Sequence, residues 1–135
     1  LYLAIVHGNF GEESGTIDAP IGRNPHDRKK MGVVETGKEA ITHFKVLEQF
    51  KNYSLIQCQL ETGRTHQIRV HLSYIGHPVA GDPLYGPRKT LNGNGQFLHA
   101  QVLGFKHPSS GKWLEFEIDP PKIFKERLAE LRKEK

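Results

Sequence analysis

The chain has 135 residues, enough for one domain or part of one with a modest core. Hydrophobic residues make up 36% and charged residues 25%, which excludes a disordered chain, and no apolar run is long enough to span a bilayer. Nineteen Lys and Arg against fifteen Asp and Glu give +4, which permits an anionic partner without requiring one. The single cysteine, Cys58, excludes an internal disulfide framework and fits a reducing cytoplasm.

Leu1-Tyr2-Leu3-Ala4-Ile5-Val6 is a continuous apolar run that predicts a buried strand ending at His7. A chain rarely opens inside its core, so a longer parent with a further N-terminal portion is expected. Gly11 to Gly15 reads as a loop and Thr16 to Ile21 as a short extended segment broken by Pro20. Arg23 to Gly32 is basic and turn-rich. Glu39 to Phe50 and Tyr53 to Leu60 predict an antiparallel hairpin turning at Lys51-Asn52, with Ser54, Ile56, Cys58 and Leu60 on one face. Gly63 breaks the second strand. A short helix is predicted from His66 to Ile75, with Thr65 as N-cap, Ile68, Leu72 and Ile75 as its apolar stripe and Gly76 just past its end. Val79 to Pro87 and Leu91 to Gln96 read as loops. Phe97 to His107 predicts one long strand, Pro108 to Gly111 a turn, and Trp113 to Ile118 an alternating strand. Lys122 to Lys135 reads as a charged amphipathic helix. The sum is an α+β fold, with a mixed, mainly antiparallel sheet and short helices, in one unit over 1–135.

The run Leu60-Glu61-Thr62-Gly63-Arg64-Thr65-His66-Gln67-Ile68-Arg69-Val70-His71 concentrates polar groups at a strand-to-helix junction. So many cannot be buried without partners, and a carboxylate, a phosphate or a nucleic-acid base would serve. Other chemistries lack their signatures. His66 and His71 are five apart, off a common helical face, and no HExxH or Cys-His set points to a metal. No phosphate-loop motif or GxSxG elbow is present. Asp18 and Asp82 stand in turn-like segments, and Asp82 before Pro83 has the pattern of a turn residue. Arginines interspersed with Tyr2, Phe44, Tyr53, Tyr74 and Tyr85 suit a structured or flipped-out RNA base.

This run resembles the signature of the RluA-type pseudouridine synthases. The resemblance extends to Gly76-His77-Pro78-Val79-Ala80-Gly81-Asp82-Pro83-Leu84-Tyr85-Gly86, to Phe97-Leu98-His99-Ala100, and to the opening Tyr2-Leu3-Ala4-Ile5-Val6-His7-Gly8. It also takes in Ile21-Gly22-Arg23 and Arg28-Lys29-Lys30-Met31. It implies the C-terminal part of a pseudouridine synthase catalytic domain. Such an enzyme flips a uridine from its RNA helix, breaks the N1–C1′ bond, turns the base and forms a C5–C1′ bond, without metal or organic cofactor.

By this resemblance Tyr2 stacks on the uracil and helps to remove the C5 proton, Arg69 pairs with a catalytic aspartate, and Leu98 packs against the pocket. Arg64, His66 and Gln67 support the junction or touch RNA. Arg23, Arg28, Lys29 and Lys30 form an RNA-binding segment. The aspartate of the family lies in a His-Arg-Leu-Asp-type motif expected upstream of Tyr2, and these residues contain no such run. The chain alone is therefore expected to be inactive, and neither Asp18 nor Asp82 is expected to replace the missing carboxylate. The implied partner is RNA, with large-subunit ribosomal RNA favoured and transfer RNA second. No membrane or protein partner is implied. The rival reading is a non-catalytic RNA-binding module on the same fold.

Overall fold

The computed structural model describes residues 1–134. Strand β1 (Tyr2–His7) lies inside a sheet, which is why its sequence is apolar without interruption. The other strands are β2 (Ser14–Asp18), β3 (Ile21–Arg23), β4 (Met31–Val33), β5 (Ile41–Gln49), β6 (Tyr53–Leu60), β7 (Leu98–Ala100), β8 (Val102–Lys106) and β9 (Trp113–Glu117). The helices are α1 (Gln67–Tyr74) and α2 (Lys122–Lys133). Five strands form the main sheet in the order β2-β5-β6-β1-β7, and β3-β4 and β8-β9 form two ribbons. These pairings are all antiparallel, so the α+β expectation holds.

The two faces of β1 serve two cores. Ala4 and Val6 join Ile56 and Cys58 of β6 and Ile68 and Leu72 of α1. Leu3 and Ile5 join Leu55 and, from α2, Phe124, Leu128 and Leu131. The sheet is thus covered by a helix on each side, and its period of two sends alternate apolar residues of β1 and β6 to one core or the other. The predicted hairpin is present, with β6 at its predicted bounds and a bulge in β5 between Val46 and Glu48.

Several local expectations are corrected. The basic, turn-rich segment keeps its turn and is framed by two short strands, β3 and β4, which pair as a β-hairpin. The segment predicted as one strand from Phe97 to His107 divides at Gln101. Gln101 donates its N–H to the Leu1 carbonyl and accepts from Ile118, so the chain leaves the main sheet and pairs with β9 instead. Thr65 does not cap α1. The cap position is His66, in the left-handed region at φ 55°, with no side-chain cap bond. Gly76 does follow the helix at φ 86°, where a Cβ would be strained.

Candidate active site

The junction between β6 and α1 is held by a continuous set of buried hydrogen bonds. Ile41 N–H donates to Thr62 Oγ1 (3.0 Å), whose hydroxyl donates to Gln67 Oε1 (2.7 Å). The Gln67 amide nitrogen donates to the Ile41 carbonyl and to Thr42 Oγ1, each at 3.0 Å, and its Oε1 also accepts from Arg64 N–H (2.9 Å). Thr42 stands 2.8 Å from His71 Nδ1, and His71 Nε2 is 2.9 Å from the Ala19 carbonyl. That carbonyl can only accept, so His71 carries its proton on Nε2 and receives the Thr42 hydroxyl at Nδ1. Burial lowers the His71 pKa, against the opposing pull of the Ala19 carbonyl, which fits a neutral ring.

This network supplies most of the partners that the polar run needs. Gln67, expected to support the junction or touch RNA, does the first. It is 3% exposed and its amide is fully engaged inside the protein. Thr42 and Thr62, which sequence reasoning passed over, are the groups that make this possible. Among the described residues no buried side-chain nitrogen or oxygen lacks a hydrogen-bond partner.

Two residues beyond Gln67 on α1, Arg69 projects to the loop after Val79. Its Nε donates to Asp82 Oδ2 at 2.8 Å and its Nη2 to Oδ1 at 2.9 Å. Asp82 Oδ1 also accepts the N–H groups of Leu84 (2.9 Å) and Tyr85 (3.0 Å), the turn geometry that Asp-Pro announces. Burial alone would push the Asp82 carboxyl up. The Arg69 guanidinium and the two backbone donors outweigh it and hold the pKa below the usual carboxylate value. Asp82 is thus an ionised, saturated acceptor that fixes the arginine. The Arg69 fork keeps Nη1 and one Nη2 hydrogen beyond these two bonds.

Tyr85 ties this pair to its surroundings. The Arg69 guanidinium lies 5.1 Å from the centre of its ring. The Tyr85 hydroxyl accepts from Met31 N–H of β4 and stands 2.9 Å from His66 Nδ1. Burial and the neighbouring Arg69 charge lower the His66 pKa, against the opposing effect of Asp82. His66 therefore belongs to the junction, its left-handed backbone turned toward Tyr85.

Tyr2 packs against the core cluster that contains Ile68 and Leu72, so it stands on the face of the sheet covered by α1. Leu98 packs on the same cluster and pairs in register with Ala4, next to Tyr2 paired with Ala100. Tyr2, Leu98 and the helix bearing Arg69 therefore share one side of the sheet. Arg23, Arg28, Lys29 and Lys30 belong to the β3–β4 hairpin, which reaches the Arg69 helix through Met31 and Tyr85. Arg23 Nη1 donates to the Arg28 carbonyl (3.0 Å), and Arg28 and Lys29 are exposed. Arg64 Nε donates to the Glu39 carbonyl (2.7 Å). Among the described residues no group of three or more His, Cys, Asp or Glu is arranged to hold a metal, and no helix is long and apolar enough to cross a membrane.

Known proteins are similar to this chain over most of its length. Residues 1–74 match the family described as RNA pseudouridylate synthase. The chain is 59% identical over 132 residues to "Uncharacterized RNA pseudouridine synthase YlyB" of Bacillus subtilis (strain 168), covering 98% of this chain and 44% of that protein. It is 50% identical over 128 residues to "Ribosomal large subunit pseudouridine synthase D" of Nitrosomonas europaea, covering 89% of this chain and 37% of that protein. The solved structure of "Human RNA Pseudouridylate Synthase Domain Containing 1" superposes with a TM-score of 0.80 at 33% identity, covering 89% of this chain and 54% of that one. The chain spans less than half the length of these two curated relatives. With a family match over more than half of its residues, the chain belongs to the RNA pseudouridylate synthase family.

Proposed function

We propose that these residues form the C-terminal part of the catalytic domain of a cytoplasmic enzyme that converts uridine to pseudouridine in structured RNA. Large-subunit ribosomal RNA is the favoured substrate and transfer RNA the second. Names given to relatives such as the Nitrosomonas europaea protein support the ribosomal choice. The observation that carries the reading is Arg69, locked side-on by a saturated carboxylate with further donors left over, on the side of the sheet that carries Tyr2 and Leu98.

In this reading the catalytic aspartate comes from a His-Arg-Leu-Asp-type segment outside these residues. The remaining Arg69 donors receive it, keep it ionised and aim it at the sugar. Tyr2 stacks on the flipped uracil beside Leu98. As the N1–C1′ bond gives way to C5–C1′, Tyr2 accepts the C5 proton while N1 regains one. Asp82 positions Arg69 and does no proton transfer, because Arg69 and two backbone amides already occupy its oxygens. Arg23, Arg28, Lys29, Lys30 and Arg64 engage the phosphate backbone.

Release of tritium from C5-labelled uridine in ribosomal RNA tests the reading. The full-length protein is expected to release it, and the 135-residue chain alone is not. Turnover by the chain alone would overturn the account of the missing aspartate. Binding without turnover by the full-length protein would favour an RNA-binding module.

A further inference from the structure

A groove of about 500 Å³ opens where the β3–β4 hairpin meets the strand-to-helix turn, within the size range of ligand pockets, about 300–1,000 Å³. Arg23, Lys38 and Arg64 line it with the hydroxyl-bearing Thr36 and Thr65 and with Gly63, whose missing Cβ faces open space. Three cations and two hydroxyls converge there, and no carboxylate lines it. Glu35 and Glu39, next to the lining in sequence, are exposed. Among the described residues neither makes an ion pair with the three cations.

The cations are held ready. Arg23 and Arg64 each give one N–H to a backbone carbonyl, of Arg28 and Glu39 respectively, which orients the guanidinium and leaves its other donors available. Lys38 is fixed through its main chain, exchanging both hydrogen bonds with Ile21 at 2.9 Å, while its side chain is exposed. Gly37 lets this approach happen, since a Cβ there would lie 2.5 Å from the Ile21 carbonyl carbon. By contrast Arg69, Arg127 and Arg132 are each matched to a carboxylate. Met31 lines the groove and bonds through its N–H to the Tyr85 hydroxyl, so the groove adjoins the Arg69 site.

We infer that this groove is a phosphodiester-binding subsite for the RNA strand entering the active site, with Lys38 as a contact beside Arg23 and Arg64. The inference rests on the proposed RNA activity and adds to it where the backbone runs. Lys38 neutralises one phosphate, the two guanidinium forks hold the anionic oxygens of that group or its neighbour, and the threonine hydroxyls donate to them.

The test is the salt dependence of RNA binding by the full-length protein. Lys38→Gln is expected to lower the log–log slope by about 0.7–0.9. It should also raise KM at unchanged kcat, because the lost contact is present in ground and transition states alike. Lys38→Arg is expected to keep the slope, and Lys45→Gln, an exposed lysine of β5 outside the groove, is expected to leave it unchanged. Only the side chain of Lys38 is altered, so unchanged thermal unfolding is expected for both variants at that position. An unchanged slope in Lys38→Gln, or an equal fall in Lys45→Gln, would overturn the subsite while turnover leaves the enzymatic reading standing. Absence of RNA binding by the unaltered protein would remove both.

Discussion

The guanidinium of Arg69 and the carboxylate of Asp82 meet side-on through two parallel hydrogen bonds of 2.8 and 2.9 Å, with the Asp82 side chain fully buried and that of Arg69 12% exposed. Thirteen residues separate them, and the Asx turn at Leu84 and Tyr85 brings the carboxylate to the helix. The arginine reaches its site already oriented and charge-matched.

Removing that carboxylate should leave a charge with little access to water. Asp82→Asn is expected to destabilise the fold by about 3–5 kcal/mol, the cost of breaking one side of a buried pair. Urea denaturation would measure it, and a loss well under 1 kcal/mol would show that Arg69 finds another anion or reaches solvent.

The same pair sets an acid limit. Because the folded pKa of Asp82 lies below its ordinary value, the folded state binds fewer protons in acid than the unfolded one. Its stabilisation is complete above the unfolded value of about 3.9 and is lost as pH falls through the lower folded value. Denaturation midpoints across the acid range should fall more steeply for the unaltered protein than for Asp82→Asn.

A second pH window comes from histidines that burial keeps neutral. The folded pKa values of His7, His66 and His71 are all lowered. Stability should therefore be fully present above about pH 6.5 and decline as the pH falls below it, because the unfolded chain takes up these protons first. A denaturation midpoint as high at pH 5.5 as at pH 7.5 would contradict this.

Thr42→Val tests the junction network with almost no change of shape. It leaves His71 Nδ1 without a partner in a buried setting and removes one of the two acceptors of the Gln67 amide nitrogen, the Ile41 carbonyl remaining. The expected cost is about 1–3 kcal/mol per orphaned group, read from chemical denaturation. A near-neutral substitution would mean that the network contributes little.

Two further variants bear on the proposed activity. Tyr2→Phe in the full-length protein is expected to keep RNA affinity and lose about 10²–10⁴ in kcat for tritium release, the range for a positioned proton acceptor. Undiminished turnover would assign the proton to another group. Replacing Arg28, Lys29 and Lys30 together should flatten the salt dependence by about 0.7–0.9 of a slope unit per lost phosphate contact, and an unchanged slope would make the hairpin tip an ordinary solvated turn.

Local pattern was enough for much of the architecture. The alternation of Tyr53 to Leu60 predicts β6 to the residue, the apolar run from Leu3 to Val6 predicts a buried strand, and Gly76 marks the end of α1. Each of these depends on neighbours within a few residues, where period and turn chemistry act directly. The Phe97 to His107 run looked like one strand because β propensity does not record a change of sheet, and the change at Gln101 is made by a hydrogen bond to Leu1. The left-handed His66 was equally hidden, since its ring is anchored 19 residues away at Tyr85.

The residue types of the site, and the resemblance they carry, were determined by the sequence alone: Tyr2, Leu98, Arg69 and the polar run from Thr62 to His71. Their division of labour was decided only by the tertiary structure. Gln67 and His71 turned inward because Thr42 and Ala19, far off in the chain, present matching donors and acceptors. Arg69 turned to Asp82, a residue that sequence alone marked only as part of a turn. Burial makes an unpaired polar group costly, so packing assigns each partner, and packing joins residues that the chain order keeps apart.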